Sequence, residues 1–94
     1  MEFEWDDAKR TSTMEKHGVD FADAPLLWSS PMLVSQDNRK DYGEPRFVAL
    51  GALNGRVMVV VYTQRGGSGL VRIISFRKAN SREVKVYESA LRSG

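Results

Sequence analysis

The 94 residues contain no cysteine, one histidine and three prolines. No apolar run approaches the roughly 18 residues that span a bilayer as a helix. Without cysteine there is no disulfide scaffold, no thiol nucleophile and no cysteine-ligated zinc or iron–sulfur centre. That composition suits a reducing cytoplasm, and a cytoplasmic location is expected. The first seven residues carry Glu2, Glu4, Asp6 and Asp7 and no base, the reverse of a secretory signal. A single histidine and the lack of a tight carboxylate cluster argue against a metal site, and no cofactor is expected. There is no G-x-S-x-G, so no nucleophile elbow for a serine triad. Gly66-Gly67-Ser68-Gly69 lacks the Lys-Ser/Thr ending of a P-loop and, lying between two strand patterns, reads as a turn.

What is present is an ordinary core composition with an uneven charge. A hydrophobic content of 41% with four Phe, three Tyr and two Trp excludes generic disorder. The length fits a single domain, 1–94. Residues 1–55 hold six basic and ten acidic side chains, whereas residues 56–94 hold eight basic and two acidic. A basic half points to a polyanionic partner, usually nucleic acid, if its cations converge on one face. The competing account is a solvated basic surface.

Along the chain, Phe3-Glu4-Trp5 reads as an edge strand and Asp6 as the N-cap of a helix over 7–17, with Gly18 as its left-handed stop. Asp20 caps a second helix over 21–29, with Phe21, Ala24, Leu27 and Trp28 on its apolar face; Pro25 kinks it or delays its start. A short strand at 32–35 precedes a polar surface loop through residue 46. Phe47–Leu53, Val57–Thr63 and Leu70–Phe76 form an antiparallel meander, its first hairpin marked by Asn54-Gly55 and its middle strand covered on both faces. Asn80 and Glu83 make a capping box for a last helix whose apolar face is Val84, Tyr87, Ala90 and Leu91. The expected fold is α+β: a small antiparallel sheet with two N-terminal helices and one C-terminal helix. A partly uncovered sheet face is the natural place for a ligand.

The chemistry left open is that of arginines at strand ends. Arg65 ends one strand, Arg72 lies inside the next on the same face as Leu70, Ile74 and Phe76, and Arg77 ends it beside Lys78. Arginine suits phosphate because its planar fork donates bidentately and stays charged. Arg72 could equally pair with Glu83, Glu88 or an acid of the first half. Arginine is no general base, so proton transfer needs another group. His17 has a suitable ordinary pKa, about 6.5, and equally suits a helix C-terminus. Tyr87 is the other candidate, and equally suits a core. These parts support RNA cleavage by the neighbouring 2′-hydroxyl, provided that the guanidinium groups gather in one pocket.

Phe3-Glu4-Trp5-Asp6, Lys16-His17-Gly18-Val19 with Phe21, Asp41-Tyr42-Gly43-Glu44-Pro45-Arg46-Phe47, Val60-Val61-Tyr62-Thr63-Gln64-Arg65, and Arg72-Ile73-Ile74-Ser75-Phe76-Arg77-Lys78-Ala79 with Glu83 and Tyr87 follow in one order. Together they resemble the BrnT family of toxins from type II toxin–antitoxin systems, over about residues 3–88. The resemblance implies a RelE-like fold and a metal-independent ribonuclease that arrests translation. It implies a BrnA-like antitoxin with a ribbon-helix-helix part that binds operator DNA, the toxin being neutralised in a complex with an antitoxin dimer. The family's Lys-His-Gly falls on Lys16, His17 and Gly18, its Tyr-Thr-x-Arg arginine on Arg65, and its Ser-x-Arg-Lys pair on Arg77 and Lys78. The expected catalytic set is Arg65, Arg77, His17 and Tyr87, with Lys16, Arg72, Lys78 and Arg82 binding RNA. The alternative is a non-catalytic module that binds nucleic acid or a partner protein and acts in regulation.

Overall fold

A computed structural model describes residues 1–65 and 69–93. The turn expected over Gly66–Gly69 lies outside the described residues except for Gly69. The elements are β1 (Glu2–Trp5), α1 (Asp7–His17), a 3-10 helix (Phe21–Ser29), β2 (Leu33–Gln36), β3 (Phe47–Leu53), β4 (Arg56–Arg65), β5 (Leu70–Lys78) and α2 (Ser81–Ser93).

Local chemistry sets the helix ends. Asp6 accepts from the Lys9 amide at 3.1 Å, and Gly18 closes α1 at φ +66°, a left-handed conformation open to glycine at little cost. Asp20 caps the next segment by accepting from the Ala22 amide at 2.9 Å. That segment is not an α-helix. Pro25 has no amide to give to the preceding turn, and the chain tightens into 3-10 turns instead. Its buried residues, Phe21, Ala24 and Leu27, recur every third position, the repeat of a 3-10 helix. Asn80 and Glu83 exchange backbone–side-chain hydrogen bonds, both 2.9 Å, and open α2 as a capping box.

The sheet is mixed, with order β1-β5-β4-β3-β2, and this corrects the expected all-antiparallel arrangement. β2, β3, β4 and β5 pair antiparallel, but β1 pairs parallel with β5, Glu2 opposite Leu70 and Trp5 opposite Ile73. The pattern Phe-Glu-Trp encodes an edge strand and not its direction. Docking on the outer edge of β5 sends Phe3 and Trp5 into the core and sets Glu4 opposite Arg72.

A second correction concerns β5. Val61 of β4 pairs with Ser75 while Tyr62 pairs with Ile73, so Ile74 is an extra residue, a β-bulge. Strict alternation puts Phe76 on the face of Arg72. The bulge instead turns Phe76 to join Val71 and Ile73 in the core.

The core lies on one sheet face, here the first, where Phe21, Ala24 and Leu27 pack on Ala49, Met58, Val60, Tyr62, Val71, Ile73 and Phe76. Burying a side chain such as Phe21 or Leu27 contributes about 1.5–3 kcal/mol. Trp28 seals the rim, its ring 5.0 Å from both Phe3 and Tyr62 in edge contacts. On the second face α2 covers only part of the sheet, through Tyr87 against Leu50 and Val59. Val84 and Ala90 are half-buried, whereas Leu91 is half exposed and does not complete the expected apolar face. Met58, Val59 and Val60 are buried in succession, as expected for a strand covered on both sides. Beyond α2 the second face stays open, and Val61, Ile74 and Ser75 are only half-buried.

Candidate functional site

The open part of the second face is the floor of a groove of about 410 Å³. Val48, Val59, Val61 and Ser75 form the floor. Arg77 and Glu83 lie on one part of the rim, and Ser35 to Arg39 on another. Cross-strand register explains the floor: Val48 pairs with Val61, Val61 with Ser75, and Val59 with Arg77, so these side chains share one face.

Arg77 sits in this groove on the bulged strand. Its Nη1 and Nη2 each donate to a Glu83 carboxylate oxygen at 2.8 Å, a bidentate fork. The fork and the Asn80 amide hold the Glu83 carboxyl at about 2, well below its ordinary value. The same hydrogen bonds raise the Arg77 guanidinium, while burial and the charge of Arg39 act in the other direction. Arg39 belongs to the 37–46 loop and is held the same way. Its Nε and Nη2 donate to the two oxygens of Asp37 at 2.9 Å, and the Tyr42 hydroxyl adds a third bond at 3.1 Å. The Asp37 side chain is 2% exposed, and these donors keep its carboxyl far below the usual carboxylate range.

The other expected residues are spread more widely. Arg65 and Arg72 share the second face with Arg77 but lie toward the far end of β4, since Arg72 stands opposite Thr63 and Arg65 opposite Leu70. Thr63 is four residues from Val59 along the strand, about 13 Å. Arg72 donates to Glu4 at 2.6 Å, and Arg65 lies 3.6 Å from Glu44. The three arginines therefore do not meet in one pocket, because the hairpin register separates them. Each instead faces a carboxylate, and only Arg77 opens onto the groove.

His17 and Lys16 end α1, both exposed. The neighbouring Gly18 lines a different cavity, of about 460 Å³, with Met58, Phe76 and Lys78 on the first face. Lys78 therefore sides with the end of α1 and away from Arg77. Tyr87 is buried, and its hydroxyl donates to the Pro31 carbonyl at 3.1 Å. Arg82 is exposed in the first turn of α2. The sequence reading places Arg39 and Asp37 in a surface loop over 35–46 and gives them no RNA role, whereas both line the groove. A signal was present in the Asp-x-Arg spacing at 37–39, since an Asp in a turn accepts from the amide two residues on, and here the guanidinium of that residue joins it.

Among the described residues no helix is long and apolar enough to cross a membrane. A family model described as the ribonuclease toxin, BrnT, of type II toxin-antitoxin system matches residues 5–83. The chain belongs to the BrnT family. No curated protein matches it. BrnT membership makes the chain a ribonuclease toxin of a type II system, with RNA as its substrate and an antitoxin as its partner. The matched span runs from Trp5 to Glu83 and so includes every groove residue named above.

Proposed function

We propose that RNA is cleaved in the groove of the second face, with Arg77 holding the scissile phosphate. The observation that carries this reading is the Arg77–Glu83 fork on a sheet face that α2 leaves half open. A phosphodiester offers the same two-oxygen edge as the carboxylate, so RNA can take its place on the guanidinium. In the reaction the 2′-oxygen gives up its proton and attacks the adjacent phosphorus, the P–O5′ bond breaks, a 2′,3′-cyclic phosphate forms, and the departing 5′-oxygen takes a proton from water. Arg77 stabilises the charge that gathers on the non-bridging oxygens. The displaced Glu83, its value returning toward 4.5, is then the carboxylate placed to take the 2′-proton. Of the two groove carboxylates it is the reachable one, 23% exposed against 2% for Asp37. This chemistry asks for no metal ion. His17 remains the rival proton acceptor at the end of α1, beside Lys16 and on the side of Lys78. Arg65 and Arg72 extend the second face beyond the groove as further RNA contacts, Arg82 adds an exposed cation on α2, and Tyr87 is buried beneath α2.

The partner in this reading is a BrnA-like antitoxin with a ribbon-helix-helix part, acting in the cytoplasm and covering the arginine face. A second reading, a non-catalytic binding module, is favoured by one observation: Arg39, Arg72 and Arg77 are all carboxylate-paired. Cleavage of single-stranded RNA by the purified chain, alone and with ribosomes added, separates the two. Arg77→Ala should lower the cleavage rate by at least about 100-fold, the scale of a lost oxyanion donor. Wild-type rates in Arg77→Ala remove the proposed site, and absence of cleavage by wild type under both conditions leaves the binding module.

A further inference from the structure

The Asp37–Arg39 pair has a build that a surface ion pair does not need. Burying a carboxylate costs several kcal/mol unless charge and hydrogen bonds compensate. Asp37 is nonetheless almost fully covered, and all its donors come from its own loop: the Arg39 amide, Nε and Nη2, and the Tyr42 hydroxyl. The result is a guanidinium fixed on one edge while its side chain remains 77% exposed. The loop beneath it is tied down. The Asp37 amide donates to the Arg46 carbonyl at 2.7 Å and closes the loop at its base. Thr63 of β4 donates to the Pro45 carbonyl at 2.6 Å, and the Arg46 guanidinium stacks on the Tyr42 ring at 4.1 Å.

Arg39 and Arg77 line the same groove, over a floor of valines and one serine. Two like charges held near one another above an apolar floor repel, and an anion between them relieves the repulsion. Each guanidinium has spent only part of its five donors on its carboxylate.

We infer that Arg39 is a second phosphate-binding residue, held in place by buried Asp37, and that RNA is gripped between Arg39 and Arg77. The inference rests on the ribonuclease reading of the groove and adds to it a fixed cation from outside the sheet. In the proposed reaction Arg77 gives up Glu83 for the phosphate, which frees that carboxylate to take the proton. Arg39 need not give up its carboxylate, because Asp37 fills one edge of its fork and leaves the other free. The 37–46 loop is thereby a substrate-positioning element, and Asp37 a positioning residue that never touches RNA.

The test uses the full chain and a 12-nucleotide single-stranded RNA with 2′-O-methyl groups, which cannot be cleaved by 2′-oxygen attack. Binding is measured across a series of salt concentrations. Arg39→Ala should weaken binding about tenfold and flatten the log–log salt slope by about 0.7, the share of one phosphate on a single strand. Arg39→Lys should restore the slope and only part of the affinity, since it keeps the charge and loses the fork. Asp37→Asn should keep the slope but weaken binding, because the cation remains and its anchor is gone. Lys9→Ala, on exposed α1, sets the size of a nonspecific charge effect. If Arg39→Ala, folded by circular dichroism, behaves as Lys9→Ala does while wild type still binds and cleaves RNA, the Arg39 site is overturned and the groove reading survives. If wild type neither binds the oligonucleotide nor cleaves RNA, both fall together.

Discussion

Replacing Glu83 by glutamine separates what the Arg77 fork does for the fold from what it does for RNA. Glutamine keeps an oxygen for the Asn80 amide, so the capping box survives, but it loses the charge that Arg77 grips. A carboxyl moved from 4.5 to about 2 corresponds to at most about 3 kcal/mol. The Arg77 side chain is 49% exposed and Glu83 23%, and solvent screening of such a pair reduces this to about 1 kcal/mol. For a domain of this size that is a fall in Tm of about 4–8 °C. Because the folded value lies below the unfolded one, the stabilisation is complete above about pH 5 and fades as the pH drops toward 2. Wild type and Glu83→Gln should therefore differ in urea midpoint at pH 7 and converge near pH 2. With its competitor weakened, Arg77 should bind the 2′-O-methyl RNA about fivefold more tightly, the equivalent of that 1 kcal/mol. Cleavage of ordinary RNA should fall about 100- to 10,000-fold, the contribution of a general base. A variant that matches wild type in stability yet binds RNA more weakly would refute the competition between carboxylate and phosphate. Undiminished cleavage would return the proton to His17.

Leu27→Ala, at a position with no exposed surface, should cost about 2–5 kcal/mol in chemical denaturation. Gly18→Ala forces a β-carbon into φ +66° and should cost about 1 kcal/mol by the same measurement, with RNA cleavage unchanged. His17→Ala should retain most cleavage, because His17 belongs to the first-face end of α1; a loss above about 100-fold at pH 7 would show that proton transfer occurs there. In a complex with its antitoxin the groove side of the toxin should become protected, with more than about 1,000 Å² buried; a complex that leaves both Arg39 and Arg77 open to solvent would contradict this.

Elements with strong local chemistry were legible in the sequence. Asp6, Gly18, Asn54-Gly55 and the Asn80–Glu83 box each act within a few residues, and each marks an element boundary or turn where the spacing predicts one. The Phe21-Ala24-Leu27 spacing even carried the period of a 3-10 helix, though it reads at first as an α-helical face. What escaped depends on partners distant in the chain. Nothing within Phe3-Glu4-Trp5 states that it runs parallel to β5, and nothing local separates Arg65 from Arg77. For the candidate site, the residue types were legible and the grouping was not: of the expected residues Arg77 lines the groove while His17 and Tyr87 lie elsewhere in the fold, and Arg39 lines it from a loop whose order comes from a buried carboxylate.

The extra residue in β5 has a reach beyond its own turn. It acts as a half-twist that assigns Phe76 to the interior and Arg77 to the groove. If β5 straightened with Ile74 taken into the ladder, the two would exchange sides: a benzyl ring would emerge in the groove and a guanidinium would be driven among Met58 and Val60. Loss of Ile74 alone leaves Phe76 opposite Val60 and Arg77 opposite Val59 and should be tolerated, whereas one residue inserted between Ser75 and Phe76 should inactivate the toxin; RNA cleavage by the two purified variants checks this.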